Sequence, residues 1–156
     1  MSKIPAMKES NYFKDLDDNE FSVLEKVVEE KTLPPGTTLF LEGMLGESMY
    51  LVVSGQIKIS KMIAEGEEKV LVMLAPGDHF GEMAILDKGP RAASAVSTEP
   101  TQILTLKRGD LMKLQDSNPG VLVKVIMSLV QDFSRRIREN SEKYKNLLMG
   151  QEAAST

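Results

Sequence analysis

The sequence predicts an α+β fold: a β-roll, that is, a jelly-roll-like antiparallel barrel, flanked by an N-terminal helix and a long C-terminal helix. A short helix is expected to open at Gly81. Three observations carry the prediction. Eight glycines fall between Gly36 and Gly89, and they separate short apolar or alternating runs in the manner of sandwiches and barrels. A helical period precedes them, starting at Asp17. A second helical period follows from Pro119, and no glycine or proline interrupts it between Gly120 and Gly150. About thirty residues of helix span about 45 Å.

The elements follow in order. Asp17 and Asp18 are suited to cap a helix that carries Phe21, Leu24, Val27 and Val28 on one face. Strands are expected at Thr38–Phe40, Met49–Val53, Gln56–Ser60 and Val70–Leu74. Ser54-Gly55 reads as a hairpin turn, with Gly55 supplying positive φ. Ala95–Ser97 and Gln102–Leu106 continue the strands. Asp110–Leu114 reads as a short helix that enters Ser117-Asn118-Pro119, where Pro119 suits a first helical turn. One domain, residues 12–149, is expected, with its C-terminal helix over about 118–149. Residues 1–11 and 150–156 read as tails.

The 156 residues suit one core. With a net charge of −4 there is no global basic field to attract nucleic acid. The absence of cysteine removes disulfide, thiolate-metal and cysteine-ligated cluster chemistry. It is compatible with a cytoplasmic location. No stretch reaches the roughly eighteen apolar residues of a membrane span. His79 is the one histidine, too few for a clustered metal site, and it reads as a turn residue. Neither a Ser–His–acid set nor a Walker-type phosphate loop can be assembled, so the chain reads as no enzyme, with neither metal nor catalytic cofactor.

The most informative segment is Phe80-Gly-Glu-Met-Ala-Ile-Leu-Asp-Lys-Gly-Pro-Arg-Ala-Ala-Ser94. It sets Glu82 and Arg91 nine residues apart on a small-residue turn opened by glycine. A helix starting there aims backbone N–H groups outward, which suits an anion. Arg91 adds a planar, permanently charged fork matched to phosphate, and Glu82 adds an acceptor for a sugar hydroxyl. On its own this pair reads first as a surface ion pair between loop residues; the full segment reverses that reading. The full segment resembles the phosphate-binding cassette of the cyclic nucleotide-binding domain family, matching at Phe80 to Ile85 and at Pro90 to Ser94. That family includes bacterial catabolite activators, regulatory subunits of cyclic AMP-dependent kinase and cyclic nucleotide-gated channels. Gly36, Gly43, Gly55 and the Tyr50–Val53 run also match its β-roll pattern, so the resemblance extends from about Tyr12 to about Leu148.

The resemblance implies a ligand-binding set of Gly81, Glu82, Met83, Ala84, Arg91, Ala92 and Ala93. Arg91 and the amides of Ala84 and Ala92 would face the cyclic phosphate, and Glu82, helped by the Gly81 amide, would accept the ribose hydroxyl. In the family, threonine at the position of Ala92 goes with cyclic GMP, so alanine favours cyclic AMP, with cyclic GMP as the second ligand. Ile59 and Leu71 fall at positions that resemble base-facing strand sites, with plain core as the alternative; Met73 and Phe40 read as core.

The helical tail carries Arg135, Arg136, Arg138, Lys143 and Lys145 interleaved with Asp132, Glu139 and Glu142. This reads as a solvated face and not as a nucleic-acid surface. Leu122, Ile126, Leu129, Phe133, Ile137, Asn140, Tyr144 and Leu147 recur at steps of three and four, a stripe suited first to the chain's own barrel and then to a homodimer. Asn140 lies in a stretch that resembles the base-touching part of this helix in the family; a polar residue in an apolar seam equally sets dimer register. The expected function is a stand-alone cyclic nucleotide sensor acting on an unknown effector protein in trans, with no membrane contact. The alternative is the ligand-sensing piece of a larger transcription factor or ion channel.

Overall fold

The computed structural model describes residues 3–155, with side chains through Gly150. Three helical segments come first: α1 (Ile4–Lys8), a 3-10 turn (Asn11–Phe13) and α2 (Asp18–Glu25). Asp17 caps α2 as expected. Its carboxylate accepts from the Glu20 amide while the Glu20 side chain accepts from the Asp17 amide, a capping box. Phe21 and Leu24 are buried. Val28, expected on the helix, instead opens a strand. Residues 1–11, expected as a tail, contribute α1, whose Met7 is fully buried.

The strands are β1 (Val28–Leu33), β2 (Thr38–Phe40), β3 (Ser48–Ser54), β4 (Ile57–Ala64), β5 (Glu67–Leu74), β6 (His79–Phe80), β7 (Ser94–Ser97) and β8 (Thr101–Lys107). A one-turn helix, α3 (Met83–Leu86), lies between β6 and β7. After β8 come α4 (Arg108–Met112), α5 (Leu114–Ser117) and α6 (Pro119–Ser155). The strands form two four-stranded antiparallel sheets, ordered β1-β8-β3-β6 and β2-β7-β4-β5. Gly55 turns β3 into β4 with φ of 89°, the conformation that favours glycine there.

Strand alternation explains the core. In β3, Met49 and Leu51 join the helical cluster with Met7, Phe13, Leu24, Leu111 and Val125, while Tyr50 and Val52 face the inter-sheet cluster with Ile57, Leu74, Phe80 and Ile103. One sheet is therefore covered on both faces, which is why Met49–Val53 reads as a continuous apolar run. Each fully buried aliphatic side chain contributes about 1.5–3 kcal/mol.

Helix α6 has 37 residues and starts at Pro119 as expected. Val121, Leu122, Val125 and Leu129 are buried against the helical cluster. Tyr12 and the Lys124–Glu20 ion pair at 2.6 Å tie α6 to the N-terminal segments. Beyond Phe133 the apolar stripe turns outward: Ile137, Tyr144 and Leu147 are each about two-thirds exposed, at 66%, 65% and 66%. The segment expected as a tail, 150–156, is helical through Ser155, and Thr156 lies outside the described residues. No described helix is long and apolar enough to cross a membrane.

Candidate functional site

A cavity of about 600 Å³ opens between the second sheet, α3 and α6. It falls in the size range of small-molecule sites. Its wall contains Gly81, Glu82, Met83, Ala84, Arg91, Ala92 and Ala93, together with Ile59 from β4 and Arg136 from α6.

Arg91 is fixed from its backbone outward. Its N–H donates to the Met44 carbonyl at 2.7 Å, and its own carbonyl accepts from the Gly43 amide at 2.8 Å. Its guanidinium donates to the backbone carbonyls of Gly81 (3.2 Å) and Ser48 (2.9 Å). It also lies 4.2 Å from the centroid of the Phe40 ring and 5.7 Å from that of Tyr50, within cation–π range. Arg91 is 8% exposed, and its Nε is a buried donor with no hydrogen-bond partner among the described residues. Burial lowers its pKa from the ordinary guanidinium value, yet a guanidinium stays charged. Among the described residues Arg91 has no carboxylate partner. It is a buried cation aimed into a cavity, held by neutral groups.

Two glycines make this placement possible. A Cβ on Gly46 would sit 2.0 Å from the Arg91 Nε and 2.3 Å from its Cζ. Gly81 has φ of 74°, and a Cβ there would lie 2.8 Å from the Arg91 Nη1. Both positions carry the guanidinium across bare backbone.

Glu82 is 5% exposed and does not pair with Arg91. Its Oε1 lies 2.5 Å from Nη1 of Arg136. The other end of that guanidinium meets Asp132: Nη2 lies 2.9 Å from Oδ2 and donates to the Tyr12 hydroxyl at 3.3 Å. Tyr12 in turn donates to Asp132 Oδ2 at 2.8 Å. Burial alone would raise the Asp132 carboxyl, but hydrogen bonds from Arg135 and Tyr12 and the charges of Arg136 and His79 outweigh it and hold it low. Burial likewise opposes the charge on Arg136, and Glu82, Tyr12 and Asp132 overcome it, raising its pKa. Burial, Glu82 and Asp132 push the Tyr12 phenol upward, so it remains a neutral donor. Its ring stacks on His79 with centroids 3.7 Å apart.

Several expectations need correction. The tail arginines do not all face solvent: Arg136 forms part of the cavity wall. His79 opens β6 and is not a turn residue; its Nδ1 is buried with no hydrogen-bond partner among the described residues. Phe40, read as plain core, lies under Arg91 and lines the cavity. Leu71 is absent from the wall and 52% exposed. Strand alternation accounts for this, since Val72 and Leu74 lie on the cavity side of β5 and Leu71 falls on the other face. Asn140 sits one turn beyond Arg136, exposed and outside the wall. The Ala84 amide, expected to face a phosphate, donates to the Gly81 carbonyl at 3.2 Å. Gly46, Tyr12, Asp132 and Arg136 were not anticipated. The only signal for Gly46 was its place among closely spaced glycines.

The family model described as "Cyclic nucleotide-binding domain" matches residues 30–118. The chain is 37% identical over 133 residues to the "Cyclic AMP receptor protein" of Thermus thermophilus, covering 85% of this chain and 60% of that protein. It thus spans less than two thirds of that relative's length. Among solved structures, the N-terminal domain of a transcriptional regulator from Streptomyces coelicolor aligns with TM-score 0.77 and 29% identity, over 89% of this chain and 94% of that one. The regulatory domain of Toxoplasma gondii PKA, co-crystallised with cAMP, aligns with TM-score 0.64 and 34% identity, over 70% and 42% of the two chains.

Proposed function

This chain belongs to the cyclic nucleotide-binding domain family, and from that premise we propose that its cavity binds cyclic AMP in preference to cyclic GMP. The observation that carries the reading is Arg91: a buried guanidinium without a carboxylate partner among the described residues, lining a cavity of nucleotide size. A cyclic monophosphate supplies the missing negative charge, and charge-assisted hydrogen bonds of this kind are about twice as strong as neutral ones. Glu82, next to Gly81 and engaged at one oxygen by Arg136, takes the ribose hydroxyl. Ile59, Val72 and Leu74 offer the base an apolar bed. Ala92 brings no hydroxyl for a guanine amino group, which favours adenine.

The role is regulatory binding in the cytoplasm, without a catalytic step, and the signal leaves through α6. Glu82 and Arg136 belong to different elements, so a sugar that engages Glu82 acts directly on the helix. A ligand shifts such an equilibrium only by its difference in affinity for the two arrangements. The exposed stripe of Ile137, Tyr144 and Leu147 suits a homodimer, with the occupied sensor acting on an effector protein in trans. A second reading, the sensing unit of a longer transcriptional regulator, is favoured by one observation: the chain covers 60% of the Thermus thermophilus relative.

Titration calorimetry with cyclic AMP and cyclic GMP tests the proposal. Arg91→Ala is expected to cost at least about 1.5–3 kcal/mol, the worth of a hydrogen bond to a charged group. An unaltered dissociation constant in that variant rejects the site.

A further inference from the structure

We propose that Tyr12, in the N-terminal 3-10 turn, is a positioning residue for the sugar end of the cavity and acts through Asp132 and Arg136. The inference rests on the cyclic nucleotide reading above.

Three contacts converge on one guanidinium. Nη1 of Arg136 holds Glu82 Oε1 at 2.5 Å, while Nη2 holds Asp132 Oδ2 at 2.9 Å and donates to the Tyr12 hydroxyl at 3.3 Å. The Tyr12 hydroxyl donates to the same Asp132 oxygen at 2.8 Å. Tyr12, Asp132 and Arg136 Nη2 therefore close a small ring of polar contacts, and the ring sets the plane of the guanidinium. A planar fork locked at one end has its other end aimed. That other end grips the carboxylate assigned to the ribose.

The arrangement is built rather than incidental. Tyr12 is 1% exposed, and its ring is locked by stacking on His79 at 3.7 Å. Glu82 is 5% exposed, so its carboxylate depends on the groups around it for orientation. Arg136 is only partly covered, with a side chain 40% exposed. A long, half-solvated side chain carries considerable rotamer freedom, and Tyr12 and Asp132 remove much of it before any ligand arrives. Pre-ordering of this kind raises affinity by reducing what must be ordered on binding. A residue 70 positions before Glu82 in the chain thereby bears on whether the pocket distinguishes ribose from deoxyribose.

The test is Tyr12→Phe in the full chain, which keeps the ring stacked on His79 and removes only the hydroxyl. Cyclic AMP and 2′-deoxy-cyclic AMP are titrated into wild type, Tyr12→Phe, Arg136→Met and the double variant. Expected is a fall of about fivefold in the preference for the ribose ligand in Tyr12→Phe, the scale of one hydrogen bond, and no further fall when Tyr12→Phe is added to Arg136→Met. An unchanged preference, tighter cyclic AMP binding, or an equal effect in both backgrounds overturns the proposal. NMR of the Arg136 side chain gives a readout that needs no nucleotide: hindered guanidinium rotation in wild type and faster rotation in Tyr12→Phe support positioning, and equal rotation in both overturns it. If wild type binds neither nucleotide, the proposed function fails, and the NMR result still decides the role of Tyr12.

Discussion

The Arg91 side chain crosses the backbone at Gly46 so closely that a single methyl group there would lie 2.0 Å from Nε. No rotamer adjustment at position 46 relieves such an approach, because a Cβ has no torsion of its own. Gly46→Ala is therefore expected to displace the guanidinium and weaken cyclic AMP binding at least tenfold, about 1.4 kcal/mol. Gly46 is not among the glycines with positive φ, so alanine does not strain the main chain. Thermal melting should fall no further than in Arg91→Ala, which loses the same contacts to Gly81, Ser48 and Phe40, while calorimetry records the loss of affinity; retained affinity would show that Arg91 does not bind the phosphate from this position.

Ala92→Thr places a hydroxyl in the cavity wall. The variant is expected to narrow the gap between cyclic AMP and cyclic GMP, chiefly by improving cyclic GMP. Calorimetry giving the same ratio as wild type counts against the adenine preference assigned to Ala92.

His79 makes stability pH-dependent with a definite sign. Burial holds its imidazole below the usual 6.5; Glu82, Asp132 and Asp78 oppose that and Arg136 reinforces it. The unfolded chain takes up a proton near pH 6.5 that the folded chain resists. Stability is then complete above that pH and declines as the pH falls through the window below it. One proton contributes at most about 1.4 kcal/mol per pH unit. Urea unfolding between pH 5 and 7 should show a shallower acid loss for His79→Gln than for wild type; parallel curves would remove His79 from the account.

The exposed half of α6 gives a fourth expectation. Leu147→Glu should shift sedimentation toward monomer if Ile137, Tyr144 and Leu147 meet a second copy. Identical sedimentation of wild type and variant would assign the stripe to another partner or to none.

Much of this molecule was legible in the sequence, for physical reasons that differ by element. The β3 and β8 strands are covered on both faces by helices and the opposing sheet, so their apolar runs stand out. β1 was missed because Val28–Leu33 is an edge strand: Val28 and Leu33 are buried and the four residues between are exposed and mostly charged, which erases alternation. Glu82 and Arg91 stood out through the segment they share. Arg136 did not, because a cation among acids on a helix carries no local mark of which way it faces; the phase of α6 against the barrel is set by Val121, Val125 and Leu129, a tertiary fact. Leu71 and Val72 differ by one residue in a run that is apolar throughout, so only strand pairing, with Ile59 opposite Val72, separates wall from outside.

One continuous helix carries both Arg136, which grips Glu82, and the outward stripe that ends at Leu147. From Arg136 to Gly150 is about 21 Å of uninterrupted helix. A tilt of about 10° at the pocket would swing that far end by about 4 Å, a displacement large enough to unseat a side chain packed against it. A shift of about an ångström at the sugar would in this way become a mechanical stroke at the tip of the rod.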